Sequence, residues 1–311
     1  MWREYDPRPH EIEREEPSRG SRGASEGVSP TSSDPRDIFS RDLNLPRSSS
    51  RRPVRDRGEV FDLRESEVRI LATTGAFRVV PSHELRDHHG RAADPRDGDL
   101  RHLRELGLVR TVPHVIEGRK TALVTLTDRG RDLLESHRER DRDEPQQAFY
   151  AGIVKPRELA HDAELYSAYV DASDRLREGG GEVQRVVLDY ELKSDYQRFL
   201  RDLNRERRRD HQREREGEDR EREVAQWARE HDLPFIDGHV HFPDVRIEYE
   251  RPDGRRAFED LEGVTPHYRG AFAAAKARTG FRTYRAVSGV GGRAGRGRRG
   301  LDPRLAEEFL P

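Results

Sequence analysis

The stretch from Glu65 to Glu139 constrains this chain most, because its apolar spacing changes period in a definite order. Ser66-Glu67-Val68-Arg69-Ile70-Leu71-Ala72 places apolar residues at helical spacing behind a serine able to cap. Gly75, Phe77, Val79 and Val80 follow, and Pro81-Ser82 restarts a short helix, Ser82 to Arg86, with a hydroxyl at its head. His88 to Pro95 is a polar turn. Asp97 to Leu106 is the next helix, with Leu100, Leu103 and Leu106 on one narrow face and Gly107 as its stop. Leu108 to Val112 reads as a strand, Glu117-Gly118-Arg119-Lys120 as a turn, and Thr121 to Leu126 as the returning strand. Thr127 caps a last helix, Asp128 to Arg138, whose Leu133 and Leu134 face inward.

Helix, helix, helix, hairpin, helix is the order of a winged helix-turn-helix. Asp99-Leu100-Arg101-His102-Leu103-Arg104-Glu105-Leu106-Gly107-Leu108-Val109 resembles the third helix and exit of MarR-like and PadR-like regulators, as does Leu126-Thr127-Asp128-Arg129-Gly130-Arg131-Asp132-Leu133-Leu134-Glu135 at the return. The resemblance implies that the third helix enters a major groove of double-stranded DNA and the hairpin tip touches a flanking groove. Arg96, Arg101, His102 and Arg104 are then the contacts on the helix, and Arg119 and Lys120 those on the wing. Asp97 and Asp99 near the helix start either repel phosphate or complement the helix dipole. Winged-helix regulators often form homodimers. A winged helix used for protein contacts is the competing interpretation.

Length and composition bound the rest. With 311 residues about two domains are expected, yet only 32% of residues are apolar and 39% are charged, too polar for a chain packed throughout. The expectation is therefore a disordered tail over 1–57, the winged helix over 58–140, an α/β domain over 150–285 with a charged helix over 194–230, and a Gly/Arg-rich tail over 286–311, disordered like the first. Within the first tail, Asp37 to Pro46 is an apolar island that docks on a partner or on the body, and Val60-Phe61-Asp62-Leu63 is a leading strand beside the wing. The 59 basic and 61 acidic residues balance, so net charge gives no polyanion signal. Only Lys120, Lys155, Lys193 and Lys276 are lysines, so arginine counts carry little weight. The lack of cysteine excludes disulfides, cysteine-zinc sites and thiol catalysis. No apolar run approaches the ~20 residues of a membrane span, and the first residues hold no secretory core, so a cytoplasmic protein without a membrane partner is expected.

After a linker, Asp141 to Gln147, the second half reads as a helix (Glu158 to Leu176), a Gly179-Gly180-Gly181 break and a strand (Glu182 to Lys193). A long helix from Ser194 to Glu230 interleaves eleven arginines with eleven acidic residues; it is read as a solvated helix or as an arm for DNA or a partner. Then come a strand (His239 to Tyr249), a Pro252-Asp253-Gly254 turn, a strand (Ala257 to Val264), a helix (Pro266 to Ala277) and a last strand (Phe281 to Arg285). Lys276 to Gly300 holds eight basic residues and no acidic one, suited to non-specific nucleic-acid binding.

Phe242-Pro243-Asp244 opens one of these strands and Glu259-Asp260-Leu261-Glu262 lies on its partner. This order resembles restriction-endonuclease-like domains and is similar to the replication-relaxation proteins of mobile elements, which join a winged helix to such a domain. The resemblance implies that Asp244 and Glu262 hold Mg²⁺ and that a lysine follows. Here Val264 stands two residues after Glu262, leaving Lys276 to approach from another direction; Glu191-Leu192-Lys193 has the acidic-x-Lys spacing but precedes Asp244. A degenerate nuclease-like fold used for binding is the alternative. Ile236-Asp237-Gly238-His239-Val240-His241 looks like the His-x-His of amidohydrolases, but too little chain follows for their barrel, and no third ligand is evident.

The expected fold class is α+β, a winged helix-turn-helix followed by a small α/β, restriction-endonuclease-like domain. The expected function is that of a duplex-DNA-binding protein of a mobile genetic element, in replication, transfer or transcriptional control, needing no cofactor. The alternatives are a metal-dependent nuclease using Asp244 and Glu262, with Mg²⁺, and a protein-interaction scaffold.

Overall fold

Leu71, Leu100, Leu103, Leu126, Leu133 and Leu134 all lie at 0–1% exposure, so the leucine spacing of residues 65–139 does close around one interior. The structure is a computed structural model and describes residues 36–116, 119–139, 145–153, 159–210, 216–264 and 278–285. Helix α1 (Glu65–Phe77) runs through Gly75 and is longer than the apolar spacing suggested. Arg64, not Ser66, takes its cap position, and Ser66 turns inward within the first turn. The expected helix from Ser82 to Arg86 is a single 3-10 turn, Ser82–Glu84, with no side-chain cap. Leu85 is extended and its carbonyl accepts the Ala93 amide at 3.0 Å, so the chain there bonds across a turn instead of along a helix.

Helix α2 (Gly98–Glu105) is capped by Asp97, whose carboxylate accepts the Gly98 amide. It ends as the glycine foretold: Leu108 N donates to Leu103 O, Gly107 N donates to Arg104 O, and Gly107 takes φ 69°. Strand β3 (Val80–Pro81) pairs with β5 (Arg119–Leu126), which pairs in turn with β4 (Val109–Ile116), giving the order β3-β5-β4. β3 reaches only Leu123 and Val124, so the outer half of the β4–β5 hairpin is two-stranded. Helix α3 (Asp128–Ser136) starts at Thr127, whose Oγ1 accepts the Gly130 amide at 3.1 Å. Gly130 is required by close approach: a Cβ there would lie 2.1 Å from Leu108 O.

The residues from Arg36 to Arg57, read from composition as part of a disordered tail, form packed structure. A 3-10 turn, Asp37–Ser40, and the residues after it bury Phe39, Leu43 and Leu45 against the body. Strands β1 (Arg52–Asp56) and β2 (Glu59–Leu63) pair as a hairpin, so the leading strand joins β1 and not the wing. Positive φ at Arg57 and Gly58 closes its two-residue turn. Average composition misses such a segment because a few well-placed apolar residues suffice to hold it. Residues 1–35 lie outside the described set.

The second half begins with α4 (Leu159–Glu178) and β6 (Glu182–Leu188). The strand expected through Lys193 stops at Leu188, and α5 (Asp189–Asp210) begins there, with Asp189 and Glu191 in its dipole-favoured first turn. Helix α6 (Glu216–Glu230) is separate in the described residues, since 211–215 lie outside them. β7 (Phe235–Ile236) and β8 (His239–Val240) form a minimal hairpin, and the expected strand 239–249 divides at Pro243, which has no amide hydrogen to give to a ladder. β9 (Val245–Glu250), β10 (Arg256–Val264) and β11 (Arg282–Arg285) complete a sheet of order β11-β10-β9-β6. Its first three strands in the chain run antiparallel and β11 runs parallel to β10. The helix expected over 266–277, with Lys276, and the tail from 286 on lie outside the described residues.

The chain thus has a mixed α/β fold. Phe39, Phe77, Tyr166 and Tyr169 pack ring against ring at centroid distances of 5.1–5.5 Å. Such pairs are each worth about 0.5–1.5 kcal/mol beyond their buried area. The same core continues into Val186, Leu188, Val245, Ile247 and Leu261 of the second sheet, so the segments on either side of residue 140 share one interior. The charged helices dock on each other through their aromatic residues: Tyr196 and Phe199 of α5 pack on Trp227 of α6 at 5.0 and 5.6 Å. No helix among the described residues is long and apolar enough to cross a membrane.

Candidate nucleic-acid interface and carboxylate cluster

Two acidic residues and two arginines set the attitude of α2. Asp99 is fully buried; its Oδ1 accepts Arg64 Nε at 2.9 Å, and its Oδ2 accepts the Ser66 hydroxyl at 2.6 Å and the His88 amide at 2.8 Å. Glu67, equally buried, takes Arg51 Nη2 at 2.6 Å, the Arg64 amide at 3.1 Å and His102 Nδ1 at 2.9 Å. Buried carboxylates are tolerated when every lone pair finds a charged or polar donor. The Glu67 hydrogen bond to Arg51 raises the Arg51 guanidinium further above its usual range, outweighing partial burial.

This arrangement decides which residues α2 shows to solvent. Asp97 is spent on the cap and Asp99 on the interior, so Asp99 is not on the outer face. His102 is half-buried and turned to Glu67. Arg96, Arg101 and Arg104 are exposed, with Arg101 Nε on Glu105 at 2.7 Å and Arg104 Nη1 on Pro95 O. The exposed Arg101–Glu105 pair contributes little to stability. Lys120 is exposed near the start of β5; Arg119 is in that strand, its side chain outside the described set.

The second constellation lies where β9 begins and β10 ends, on the two inner strands of the sheet. Asp244 stands one residue before β9; its amide donates to Leu261 O at 2.9 Å, which sets it opposite Glu262. Asp244 Oδ2 accepts the Gly263 amide at 2.7 Å and the Tyr284 hydroxyl at 3.5 Å. His161 of α4 brings Nε2 to 3.5 Å from Asp244 Oδ1. Glu262 is buried at 3% exposure. Burial lowers the His161 pKa, but the hydrogen bond and charge of Asp244, with Asp162 and Glu164 adding, overcome it and lift the group to about 9. Burial together with the charges of Asp244, Glu262 and Glu164 raises the Tyr284 phenol well above its usual range. Sequence reasoning found Asp244 and Glu262 and missed His161, Glu164 and Tyr284; the only signal was the helical pattern of α4, which said nothing of the sheet it crosses.

Carboxylates are the oxygen donors that a hard cation takes. Asp244 already serves one backbone and two side-chain donors, and Val264 occupies the lysine position. Lys276 lies outside the described residues. Among the described residues no group of three or more histidines and carboxylates is arranged to hold a metal ion. Asp237 and Gly238, at φ 52° and 76°, make the turn of the β7–β8 hairpin, so Ile236 to His241 is a tight hairpin with His239 exposed on it. Glu191 and Lys193 are on α5, where Glu191 accepts Tyr150 and Arg185, and Lys193 donates to Asp189. No family model, curated protein or solved structure matches this chain.

Proposed function

We propose that this protein binds double-stranded DNA through a winged helix, as a mobile-element protein acting in replication, transfer or transcriptional control. The observation that carries this reading is the division of charge on α2. Asp97 and Asp99 are consumed by the cap and the interior, while Arg96, Arg101 and Arg104 face outward, with Glu105 the one acidic residue of α2 among them, beside a hairpin whose outer half is two-stranded. A helix whose attitude is fixed by buried ion pairs has its backbone already ordered, so only the exposed arginine side chains lose freedom on binding phosphate. Asp244 and Glu262, side by side on β9 and β10, support the resemblance to restriction-endonuclease-like domains. Their engagement by His161, Tyr284 and Gly263 favours a binding role for that half over Mg²⁺-dependent cleavage. A mobility-shift assay with duplex DNA at two salt concentrations tests the reading: affinity that falls steeply with salt supports it, and no shift in dilute buffer refutes it. The same assay separates DNA binding from a scaffold role, and incubation with Mg²⁺ or Mn²⁺ reports any cleavage.

A further inference from the structure

Arg78 ends α1 in a backbone conformation that favours glycine. At φ 64° and ψ −49°, with Val79 N donating to Phe77 O at 2.7 Å, it is the centre of a γ-turn of positive φ, a rare and strained turn for a residue with a Cβ. The turn is needed, because Phe77 and Val79 are both buried and the chain passes from α1 toward β3 at this one residue. Glycine would make it without strain, so the turn does not call for an arginine side chain. Among the described residues the Arg78 guanidinium has no hydrogen-bond or carboxylate partner; it lies 5.9 Å from the centroid of the Tyr190 ring. Tyr190 is 56% exposed in the first turn of α5, and the Tyr150 ring meets it edge-on, with centroids 5.9 Å apart. The nearest carboxylates are engaged by the chain itself: Glu191 accepts Tyr150 and Arg185, and Asp189 accepts Lys193. Along α5, Tyr190, Lys193, Gln197 and Arg201 recur at three- and four-residue spacing and are all exposed, so one face carries a ring followed by an ammonium, an amide and a guanidinium.

A ring open to solvent, backed by a second ring and flanked by a guanidinium without an anion, suits a planar aromatic ligand that carries negative charge. An unpaired nucleotide joins the two: its base has a π-face to lay on tyrosine and its phosphate takes arginine. Inside a duplex that face is covered by the neighbouring bases, so the ligand is single-stranded. We infer that Tyr190 and Arg78 form a stacking site for an unpaired base of single-stranded DNA, whose backbone continues along Lys193, Gln197 and Arg201 of α5. The choice of DNA rests on the proposed duplex binding by the winged helix, but the site uses none of the residues of α2 or of the wing.

The test is fluorescence anisotropy of the full chain with a labelled oligothymidylate of about eight nucleotides, run beside a duplex probe. The wild type is expected to bind the oligothymidylate. Tyr190→Ala and Arg78→Gly are each expected to weaken that binding roughly tenfold and to leave the duplex probe unchanged. Arg78→Gly is also expected to raise the thermal midpoint, because glycine accepts the turn, whereas an arginine kept for the fold alone would lower it on removal. Absence of oligothymidylate binding in the wild type, or equal binding by wild type and Tyr190→Ala, overturns the inference whatever the duplex probe does. Oligothymidylate binding that depends on Tyr190 supports it even where the duplex probe fails, an outcome that removes only the winged-helix reading.

Discussion

Arg64 Nε donates to Asp99 Oδ1 at 2.9 Å, and through this pair the residue before α1 holds the first turn of α2. Asp99 is fully buried, and Arg64 is 14% exposed. Removing one partner of a buried pair strands the other charge, at a cost of about 3–5 kcal/mol. Asp99→Ala is therefore expected to lower unfolding stability by that order in urea denaturation, with DNA affinity falling because α2 loses its fixed attitude. Asp99→Ala at wild-type stability would show that the network contributes nothing.

Phe39 makes ring contacts with Phe77 at 5.5 Å and Tyr169 at 5.4 Å and is 1% exposed. Truncating a buried phenylalanine costs about 3–5 kcal/mol. Phe39→Ala is expected to lower stability by that amount in a single unfolding transition that both halves follow. Two separate transitions would contradict the shared core.

Gly130→Ala places a methyl 2.1 Å from Leu108 O and 3.3 Å from Leu126 Cδ2. Overpacking of this kind costs about 1–3 kcal/mol, and here the obstacle is backbone, which yields little. A loss of thermal stability is expected even though alanine is the better helix former, and a gain would contradict the close approach of α3 to the backbone at Leu108.

The legibility of these features in the sequence differs for definite reasons. Leu100, Leu103, Gly107, Thr127 and Leu133 were readable because each acts within its own element: a face, a stop, a cap. Ser82 read as a helix start because its hydroxyl and neighbours suit one, but Leu85 bonds to Ala93 across the turn, a choice made by tertiary pairing. Tyr190 and Leu192 extended the alternation of β6 past Leu188, yet Asp189 N bonds to Asp244 O and the chain turns into α5, leaving Tyr190 exposed and Leu192 buried. Asp244 and Glu262 were found from a phrase on neighbouring strands. His161 was not, because it meets Asp244 only through the crossing of α4 over the sheet.

His161 gives a pH dependence of definite sign. Its pKa is raised from 6.5 to about 9 in the fold, burial opposing and the charges of Asp244, Asp162 and Glu164 prevailing. A raised value means the folded state holds the proton more tightly. The stabilisation is therefore present in full below 6.5 and is lost as pH rises through about 9. Urea midpoints are expected to fall across that window in the wild type and to fall less in His161→Gln. Parallel profiles for the two proteins would remove His161 as the cause.

DNA binding by α2 is tested most directly by the slope of log affinity against log salt for wild type and for the double variant Arg101→Ala, Arg104→Ala. Each phosphate contact removed lowers the slope by about 0.9 for duplex DNA. The expected result is a steep wild-type slope that drops by about 1.8 in the double variant, with unchanged unfolding stability. Equal slopes in the two proteins, or no measurable wild-type binding to duplex DNA in dilute buffer, would contradict the account.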